Sequence, residues 1–218
     1  MRYILTEDIE IVKTVNLIGN ASTNTEKICE NLNQQYLKEA NNYKIAFAYG
    51  YLNFLLATKA VDSIIGNDRL EIAFNAYSHV LELVPDYWLV QLFKSLLLFD
   101  LPEVMRNDDE LEQILIQMID QQKDCKQEAY FIIPYILYAD FGYIMKGRDF
   151  SFHLIMEAEN NIQLKSLDDD YFKPCFYKPV KNFYKRLARS NETTFTNKLK
   201  NIGSVLFPSE NIFKLSGR

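Results

Sequence analysis

The sequence predicts an all-α protein built from stacked antiparallel helical hairpins, with about ten helices and no convincing strand. Apolar residues recur at spacings of three and four along most of the chain, which is the pattern of a buried helix face. Glycine (7) and proline (6) are few among 218 residues, whereas all-β proteins need many tight turns that use them. The breaks between helical segments are short, so we expect sequential helices to be antiparallel neighbours.

Individual helices are predicted from where the apolar periodicity starts and where turn-forming residues interrupt it. Thr6 can cap a first helix that carries Ile9, Val12 and Val15 along one face. A break at residues 66–68, beginning with a glycine, is expected to end a long third helix. The predicted helices cover about residues 6–19, 23–40, 43–65, 69–83, 88–100, 107–121, 128–145, 149–163, 180–190 and 195–207.

Proline positions decide the organisation of the second half. Pro134 lies inside a helical pattern, where it either kinks the helix or marks the first turn of a later start. Two Lys-Pro pairs, at Pro174 and Pro179, favour a linker or an ordered crossing loop. We therefore predict a repeat-like domain at residues 1–164, a connecting segment at 165–179, and basic C-terminal helices at 180–218 packed on the same domain, with the last ten residues frayed.

Cysteine usage and the apolar runs indicate the compartment. The three cysteines, Cys29, Cys125 and Cys175, are odd in number and form no CxxC, so neither a disulfide framework nor a zinc site is expected. The first residues turn acidic at once and contain no apolar stretch of the kind found in secretory signals. The most apolar runs, residues 88–101 and 131–145, are shorter than the roughly 20 residues that span a bilayer. We expect a cytoplasmic protein without a membrane segment.

One segment carries a recognisable motif. Ala73, Tyr77, Val80 and Pro85 follow a small, aromatic, small, proline order at spacings of four, three and five. This resembles the second helix of a tetratricopeptide repeat, with Val80 departing from the usual alanine but remaining apolar. The resemblance implies that Ala73 lies where paired helices cross, that Tyr77 and Val80 fill the layer between hairpins, and that Pro85 ends the helix.

The resemblance extends more weakly along residues 43–163. The next segment fits the first helix of a repeat at Ser95 and Leu98, although Lys94 replaces a usual apolar residue. Residues 143–150 resemble the turn between two repeat helices. An unrelated helical bundle is the alternative, because periodicity alone does not separate the two.

The tetratricopeptide resemblance implies a concave surface that binds a peptide or protein partner. The leading hypothesis is therefore an adaptor or accessory protein. Groove residues would come from the first helix of each hairpin, and the candidates are Asn53, Gln91, Tyr135 and Tyr138.

Motifs for catalysis are not found. The sequence has no Gly-rich phosphate loop, HExxH, GxSxG or CxxC. His79 and His153 each have a carboxylate nearby, but not in the Glu-x-x-His order of a di-iron bundle. We predict no cofactor, no metal and no enzymatic activity. A helical-bundle enzyme acting on a small molecule, with carboxylates around either histidine, is the alternative.

The C-terminal segment differs chemically from the rest. Residues 171–218 hold ten Lys and Arg against two acids, while residues 1–170 hold fourteen against 27. Four of these cations recur at helical spacing and predict one basic stripe that could bind a partner: Lys178, Lys181, Lys185 and Arg189. Aromatic residues are interleaved with them: Tyr171, Phe172, Phe176, Tyr177, Phe183 and Tyr184.

Three interpretations of this stripe stay open. Basic residues beside aromatics can neutralise phosphates and stack bases, so nucleic-acid binding is one. An acidic protein or peptide is another. The third is a solvated helix face whose opposite side, with Phe183 and Leu187, packs on the repeats.

Overall fold

The computed structural model describes residues 6–20, 25–101, 104, 106–125, 128–170, 172–190 and 192–214. Within these ranges the chain forms ten α-helices and no strand, which confirms the all-α class and the expected number of helices. None of the described helices has both the length and the apolar character needed to cross a bilayer. The helices are α1 (Thr6–Asn20), α2 (Thr25–Lys38), α3 (Tyr43–Lys59), α4 (Ser63–Leu83), α5 (Trp88–Asp100), α6 (Asp108–Gln122), α7 (Ile132–Met145), α8 (Arg148–Asn161), α9 (Lys173–Arg189) and α10 (Thr193–Leu206).

The chain divides into two compact units, Met1–Leu111 and Glu112–Arg218. Stacking of hairpins into a solenoid stays a prediction, as do the segments proposed at residues 1–164, 165–179 and 180–218. The predicted start of the second helix at residues 23–24 lies outside the described residues.

The first unit is organised around α3, which packs against α1, α2 and α4. Its core is aromatic: the ring of Phe93 lies 5.3 Å from that of Tyr51 and stacks on that of Tyr77 at 5.9 Å. Gly50 lets α3 and α4 approach closely, because a Cβ there would lie 2.9 Å from Cε1 of Tyr77. Rings of this size bury large apolar areas, so this cluster supplies much of the unit's stability.

The break between α3 and α4 lies earlier than predicted. Helix α3 ends at Lys59, and α4 begins at Ser63. Asp62 caps α4, since its Oδ1 accepts a hydrogen bond from the backbone N–H of Ile64 at 2.7 Å. The predicted break at residues 66–68 was therefore wrong: Gly66 lies in the first turns of α4, and an aspartate cap outweighs a single helical glycine.

The second unit is organised around α7, which packs against α8 and α9. Every residue from Ile132 to Gly142 is buried. Pro134 lies in the first turn of α7, after a 3₁₀ turn at Ala129–Phe131. The later-start alternative is thus confirmed, because a proline in the first turn removes an N–H that no helical carbonyl needs.

Helix α9 begins at Lys173, not at Val180, so the predicted connecting segment is partly helical. Pro174 occupies the first turn and Pro179 lies inside the helix. An internal proline removes one backbone hydrogen bond. The buried face of α9 compensates for that loss, because its apolar side chains are covered over the whole helix: Phe176, Val180, Phe183 and Leu187.

The end of the described chain is packed rather than frayed. A 3₁₀ turn forms at Asn211–Phe213, and Phe213 is fully buried. Its ring lies over Gly203 of α10, where a Cβ would come within 2.6 Å of the ring. The expectation of a frayed end was wrong for residues 209–214, because one aromatic side chain fixes the segment.

Candidate partner-binding pocket

The four predicted groove residues lie in the interior. Asn53 is fully buried, and Gln91, Tyr135 and Tyr138 are 1%, 2% and 7% exposed. Buried side chains cannot line an open groove, so their predicted position is corrected. The reason is that α5 and α7 are covered on all sides over most of their length, whereas a repeat's first helix would keep one face open.

Asn53 belongs to a buried polar network between α2, α3 and α4. Its Nδ2 donates to the carbonyl of Tyr49 at 2.9 Å, and its Oδ1 accepts from Nη1 of Arg69 at 2.8 Å. The same Nη1 lies 3.1 Å from Sγ of Cys29, and Nη2 of Arg69 pairs with Glu26. Burial raises the pKa of Cys29, although the positive charge of Arg69 opposes this. The network connects three helices, and its members already have partners within it.

Gln91, Tyr135 and Tyr138 are likewise engaged within the protein. Nε2 of Gln91 donates to the carbonyl of Pro85 at 3.0 Å. Burial, and next the carboxylate of Glu157, raise the pKa of Tyr135. The hydroxyl of Tyr138 donates to Oε1 of Glu112 at 2.6 Å.

The two histidines each have a neutral hydrogen-bonding neighbour in the structure. Nδ1 of His79 lies 2.8 Å from the hydroxyl of Tyr36, and Nδ1 of His153 lies 2.7 Å from the backbone carbonyl of Asp149. Among the described residues, no group of three or more His, Cys, Asp or Glu side chains is arranged to hold a metal ion.

The predicted basic stripe lies on α9. Lys178, Lys185 and Arg189 are exposed, and Nζ of Lys181 lies 5.2 Å from the centre of the Tyr177 ring. The interleaved aromatics face the core instead: Phe172, Phe176 and Phe183 are buried, and Tyr177 and Tyr184 place their rings against Phe213. Tyr171 lies outside the described residues. The described aromatics therefore contribute to the packing of the unit.

A pocket that the sequence did not predict lies in the first unit. It has a volume of about 420 Å³ and is formed by the first half of α4, the end of α5 and the start of α6. We call it the acid-rimmed pocket. Apolar side chains and polar or acidic ones both contribute to it: Leu70, Phe74, Leu97, Leu98 and Leu101, with Asn67, Asp68, Glu71, Asn107 and Glu110.

One side of the pocket is held by a nearly buried lysine. Nζ of Lys94 lies 2.6 Å from Oε1 of Glu110 and 4.7 Å from the centre of the Phe74 ring. Asn107 caps α6, since its Oδ1 accepts from the backbone N–H of Glu110 at 3.2 Å. Glu110 is thus neutralised and fixed in place, which explains why a cation is tolerated in an apolar helix.

The other side of the pocket carries two carboxylates that are not neutralised. Asp68 and Glu71 are exposed, and neither forms an ion pair with any residue that the structure describes. They are three residues apart on α4 and so lie on the same helix face. Ile64, 70% exposed, lies one turn earlier on that face, and Val61 precedes it fully exposed. This side therefore combines negative charge with uncovered apolar surface.

Such an arrangement suits a cation on an apolar stem. The methylenes of a lysine or arginine can lie on apolar side chains while the charged head reaches a carboxylate. Asp68 and Glu71 at helical spacing were visible in the sequence, but their meeting with Leu97, Leu101 and Glu110 depends on tertiary packing. Comparison with protein-family models, with curated proteins and with solved structures found no match for this chain.

Proposed function

We propose that this protein is an adaptor or accessory protein, and that the acid-rimmed pocket binds a partner segment carrying a lysine or arginine beside bulky apolar residues. The observation that carries the proposal is the pairing of Asp68 and Glu71, which lack ion-pair partners among the described residues, with the apolar floor formed by Phe74, Leu97 and Leu101. Charge complementarity selects a cationic group, and the floor selects an apolar neighbour.

A peptide or protein suits this pocket better than a small amine. The exposed Ile64, Ile65 and Val61 extend the apolar surface away from the pocket along the start of α4. Uncovered apolar surface next to a concave site is typical of protein interfaces. A segment of several residues could cover this surface, whereas a small molecule would fill only the pocket.

The tetratricopeptide-like assignment is part of the same proposal. Ala73, Tyr77 and Val80, the residues that carry the resemblance, are all fully buried on α4. That burial agrees with the packing roles that the resemblance implies. The groove predicted from the repeat register is replaced in the proposal by the acid-rimmed pocket.

We place this binding activity in the cytoplasm. Cys29, Cys125 and Cys175 are all free thiols, and unpaired cysteines are usual in a reducing compartment. The nucleic-acid alternative loses support because the described tail aromatics pack inside the unit. The enzyme alternative has less support because the hydrogen-bonding groups found beside the two histidines are a tyrosine hydroxyl and a backbone carbonyl, not carboxylates.

A direct test uses fluorescein-labelled peptides and fluorescence anisotropy. The probe has a Leu-Leu-Lys-Leu-Leu core, and two matched peptides replace the lysine by glutamate or all four leucines by alanine. We expect the lysine peptide to bind, and both changes to weaken binding at least about tenfold, the equivalent of about 1.4 kcal/mol. If none of the peptides binds, the proposed function of this pocket is overturned.

The site of binding is tested with a charge-matched pair of variants. Asp68→Asn with Glu71→Gln removes the two carboxylates of the rim. Glu30→Gln with Asp124→Asn removes two exposed carboxylates outside the pocket. We expect only the first pair to weaken binding of the lysine peptide. Equal losses in both pairs would mean that the peptide responds to net charge and not to the pocket.

A further inference from the structure

A second pocket, in the second unit, has the opposite charge. It has a volume of about 500 Å³ and is lined by residues of the C-terminal half of α9 and the residue that follows it: Asn182, Lys185, Arg186, Arg189 and Ser190. Three of these five side chains are cations. The proposed peptide-binding function does not use this pocket.

The cations are presented by a rigid helix. Phe183 and Leu187, on the opposite face of the same turns, are fully buried, and Val180 before them is as well. Tyr143 and Phe195 place their rings 6.2 and 5.3 Å from that of Phe183. Because the buried face fixes the helix, Lys185 and Arg189 keep a constant spacing on the outer face.

Arg186 is oriented from below by a buried carboxylate. Its Nε donates to Oδ1 of Asp140 at 2.7 Å, and Asp140 is only 2% exposed. The guanidinium has five N–H donors, so one contact with Asp140 leaves others for a ligand. This ion pair balances the charge of Arg186, and the remaining N–H groups of its guanidinium can still donate hydrogen bonds in the pocket.

Two positive charges are left in excess. Lys185 and Arg189 are exposed, and neither has an ion-pair partner among the described residues. At the end of the helix, the N–H of Ser190 bonds the carbonyls of Arg186 and Leu187, so these two carbonyls are already engaged. The helix dipole also stabilises cations in the last turn of a helix. The tests below separate this structural role of Lys185 and Arg189 from a role in binding.

Charge and volume together indicate the ligand. A single carboxylate would neutralise only one of the two excess charges. A phosphate monoester carries roughly −1.5 to −2 at neutral pH and has three oxygens that accept hydrogen bonds. A pocket of about 500 Å³ leaves room for an organic group beyond the phosphate itself. Arginine is well suited to the phosphate because its paired donors match two oxygens of one group.

We propose that the C-terminal half of α9 forms a binding site for a phosphate monoester, with Lys185 and Arg189 supplying the charge and Arg186 and Asn182 supplying hydrogen-bond donors. The phosphate can come from a small phosphorylated molecule or from a phosphorylated side chain of a protein. Both sources present the same group to the same residues.

The first test compares phenyl phosphate with phenyl sulfate by isothermal titration calorimetry at neutral pH. The two probes have nearly the same shape, but the sulfate carries one negative charge and the phosphate up to two. We expect phenyl phosphate to bind at least tenfold more tightly. Equal affinities, or no binding of either probe, would overturn the proposal.

The second test removes the charges of the pocket. Lys185→Gln with Arg189→Gln should weaken phenyl phosphate binding at least tenfold. Lys178→Gln, exposed on the same stripe two turns earlier, should change it less than twofold. Thermal unfolding of each variant checks that the fold is kept. An equal effect of Lys178→Gln would mean a diffuse positive field without a built site, and the proposal would fail.

The third test identifies the source of the phosphate. Adenosine monophosphate and a phosphoserine peptide are compared with a single-stranded oligonucleotide, whose phosphodiesters carry one charge each. Tighter binding of the mononucleotide assigns a small-molecule ligand, and tighter binding of the phosphopeptide assigns a phosphoprotein. Binding of the oligonucleotide alone would overturn the monoester site in favour of nucleic acid.

Discussion

A Cβ on Gly50 would lie 2.9 Å from Cε1 of Tyr77 and 3.1 Å from Cβ of Ala76. Helices α3 and α4 therefore approach each other closely at Gly50. The Tyr77 ring is itself held by Phe47 and Phe93, with which it forms ring contacts of 6.3 and 5.9 Å. A side chain at residue 50 therefore cannot be accommodated by moving one flexible group.

Substitution of this glycine should destabilise the protein in proportion to size. We expect Gly50→Val to lower the free energy of unfolding by about 1–3 kcal/mol, since overpacking forces the surrounding rings to shift. Gly66→Ala is the control, because a Cβ there meets Ala60 at an ordinary 3.6 Å. Alanine should stabilise α4 at that position by up to about 1 kcal/mol. Urea unfolding measures the free energy of unfolding of both variants. An unchanged free energy in Gly50→Val would contradict the close approach of α3 and α4 at this residue.

Arg69 should stabilise the fold far more through its hydrogen bond to Asn53 than through its ion pair with Glu26. Arg69→Ala leaves the buried Oδ1 of Asn53 without its strongest donor, which costs about 1–3 kcal/mol. Glu26→Gln breaks only the outer ion pair, whose glutamate side chain is 72% exposed, and should cost less than about 1 kcal/mol. Urea unfolding of the two variants compares them directly. Equal losses would show that the outer pair, not the buried amide, determines the contribution of Arg69.

Glu112, Tyr138 and Lys146 contact one another and form what we call the Glu112 cluster. This cluster should make the stability of the fold depend on pH in the acidic range. Hydrogen bonds from Lys146, and next from Tyr138, lower the pKa of Glu112 below its usual range. A carboxyl group with a lowered pKa stabilises the fold above the unfolded-state pKa of about 4.3, and this contribution is lost as the pH falls through the folded-state pKa.

Glu112→Gln tests this sign. At pH 7 the variant should be less stable than the parent by about 1 kcal/mol. The difference should shrink below pH 4, because the parent then loses the same charge. Urea unfolding at both pH values is the measurement, with Asp124→Asn, an exposed carboxylate in the same unit, as the control. A difference that stays constant down to low pH would argue against a charge-assisted cluster.

Cys175 should react slowly with thiol reagents. Burial raises the pKa of Cys175 to about 12, and only the thiolate is nucleophilic. At pH 8 the thiolate fraction should therefore be roughly a thousandfold below that of an ordinary cysteine. A Cys29→Ala, Cys125→Ser variant isolates this thiol, and its reaction with Ellman's reagent can be compared in the native state and in denaturant.

The same shift predicts a loss of stability at alkaline pH. A thiol with a raised pKa favours the folded state in its neutral form, so this contribution is present below the unfolded-state pKa of about 8.5 and is lost as the pH rises towards 12. Equal reaction rates in the native and denatured states would contradict both expectations for Cys175.

Ser95 should be a site where truncation stabilises. Its hydroxyl is buried on α5 and has no hydrogen-bond partner among the described residues. Ser95→Ala removes that unsatisfied group and improves helix propensity, so the free energy of unfolding should rise by about 1 kcal/mol. Thermal and urea unfolding would both report this gain. A loss of stability would mean that the hydroxyl is satisfied in solution.

The sequence predicted the all-α class because periodicity and the scarcity of turn residues act along the whole chain. It misplaced boundaries where one local interaction outweighs composition. Asp62 starts α4 ahead of Gly66, and the buried face of α9 carries the helix through Pro179. Phe213 fixes a segment whose sequence otherwise resembles a free end. The cap at Asp62 is a local contact that the prediction passed over in favour of Gly66, whereas the packing of α9 and of Phe213 depends on residues distant in the sequence.

The candidate site was harder to predict for the same reason. The repeat register selected Asn53, Gln91 and Tyr135, which the structure buries, because that register assumes one open face on each first helix. The acid-rimmed pocket takes its residues from three helices, and no local spacing joins Glu71 to Glu110. The basic stripe was predictable because all its members lie on α9.

Packing of Phe213 against Gly203 also sets a practical limit on how far the chain can be shortened. Ending it at Pro208 would remove one aromatic side chain, but that ring also contacts Tyr177 and Tyr184 of α9. Both tyrosines would then lose the contact with Phe213, and the ring of Phe213 would no longer cover Gly203 of α10. Affinity tags and reporter fusions are therefore best attached after Lys214, so that Phe213 keeps its contacts with Tyr177, Tyr184 and Gly203.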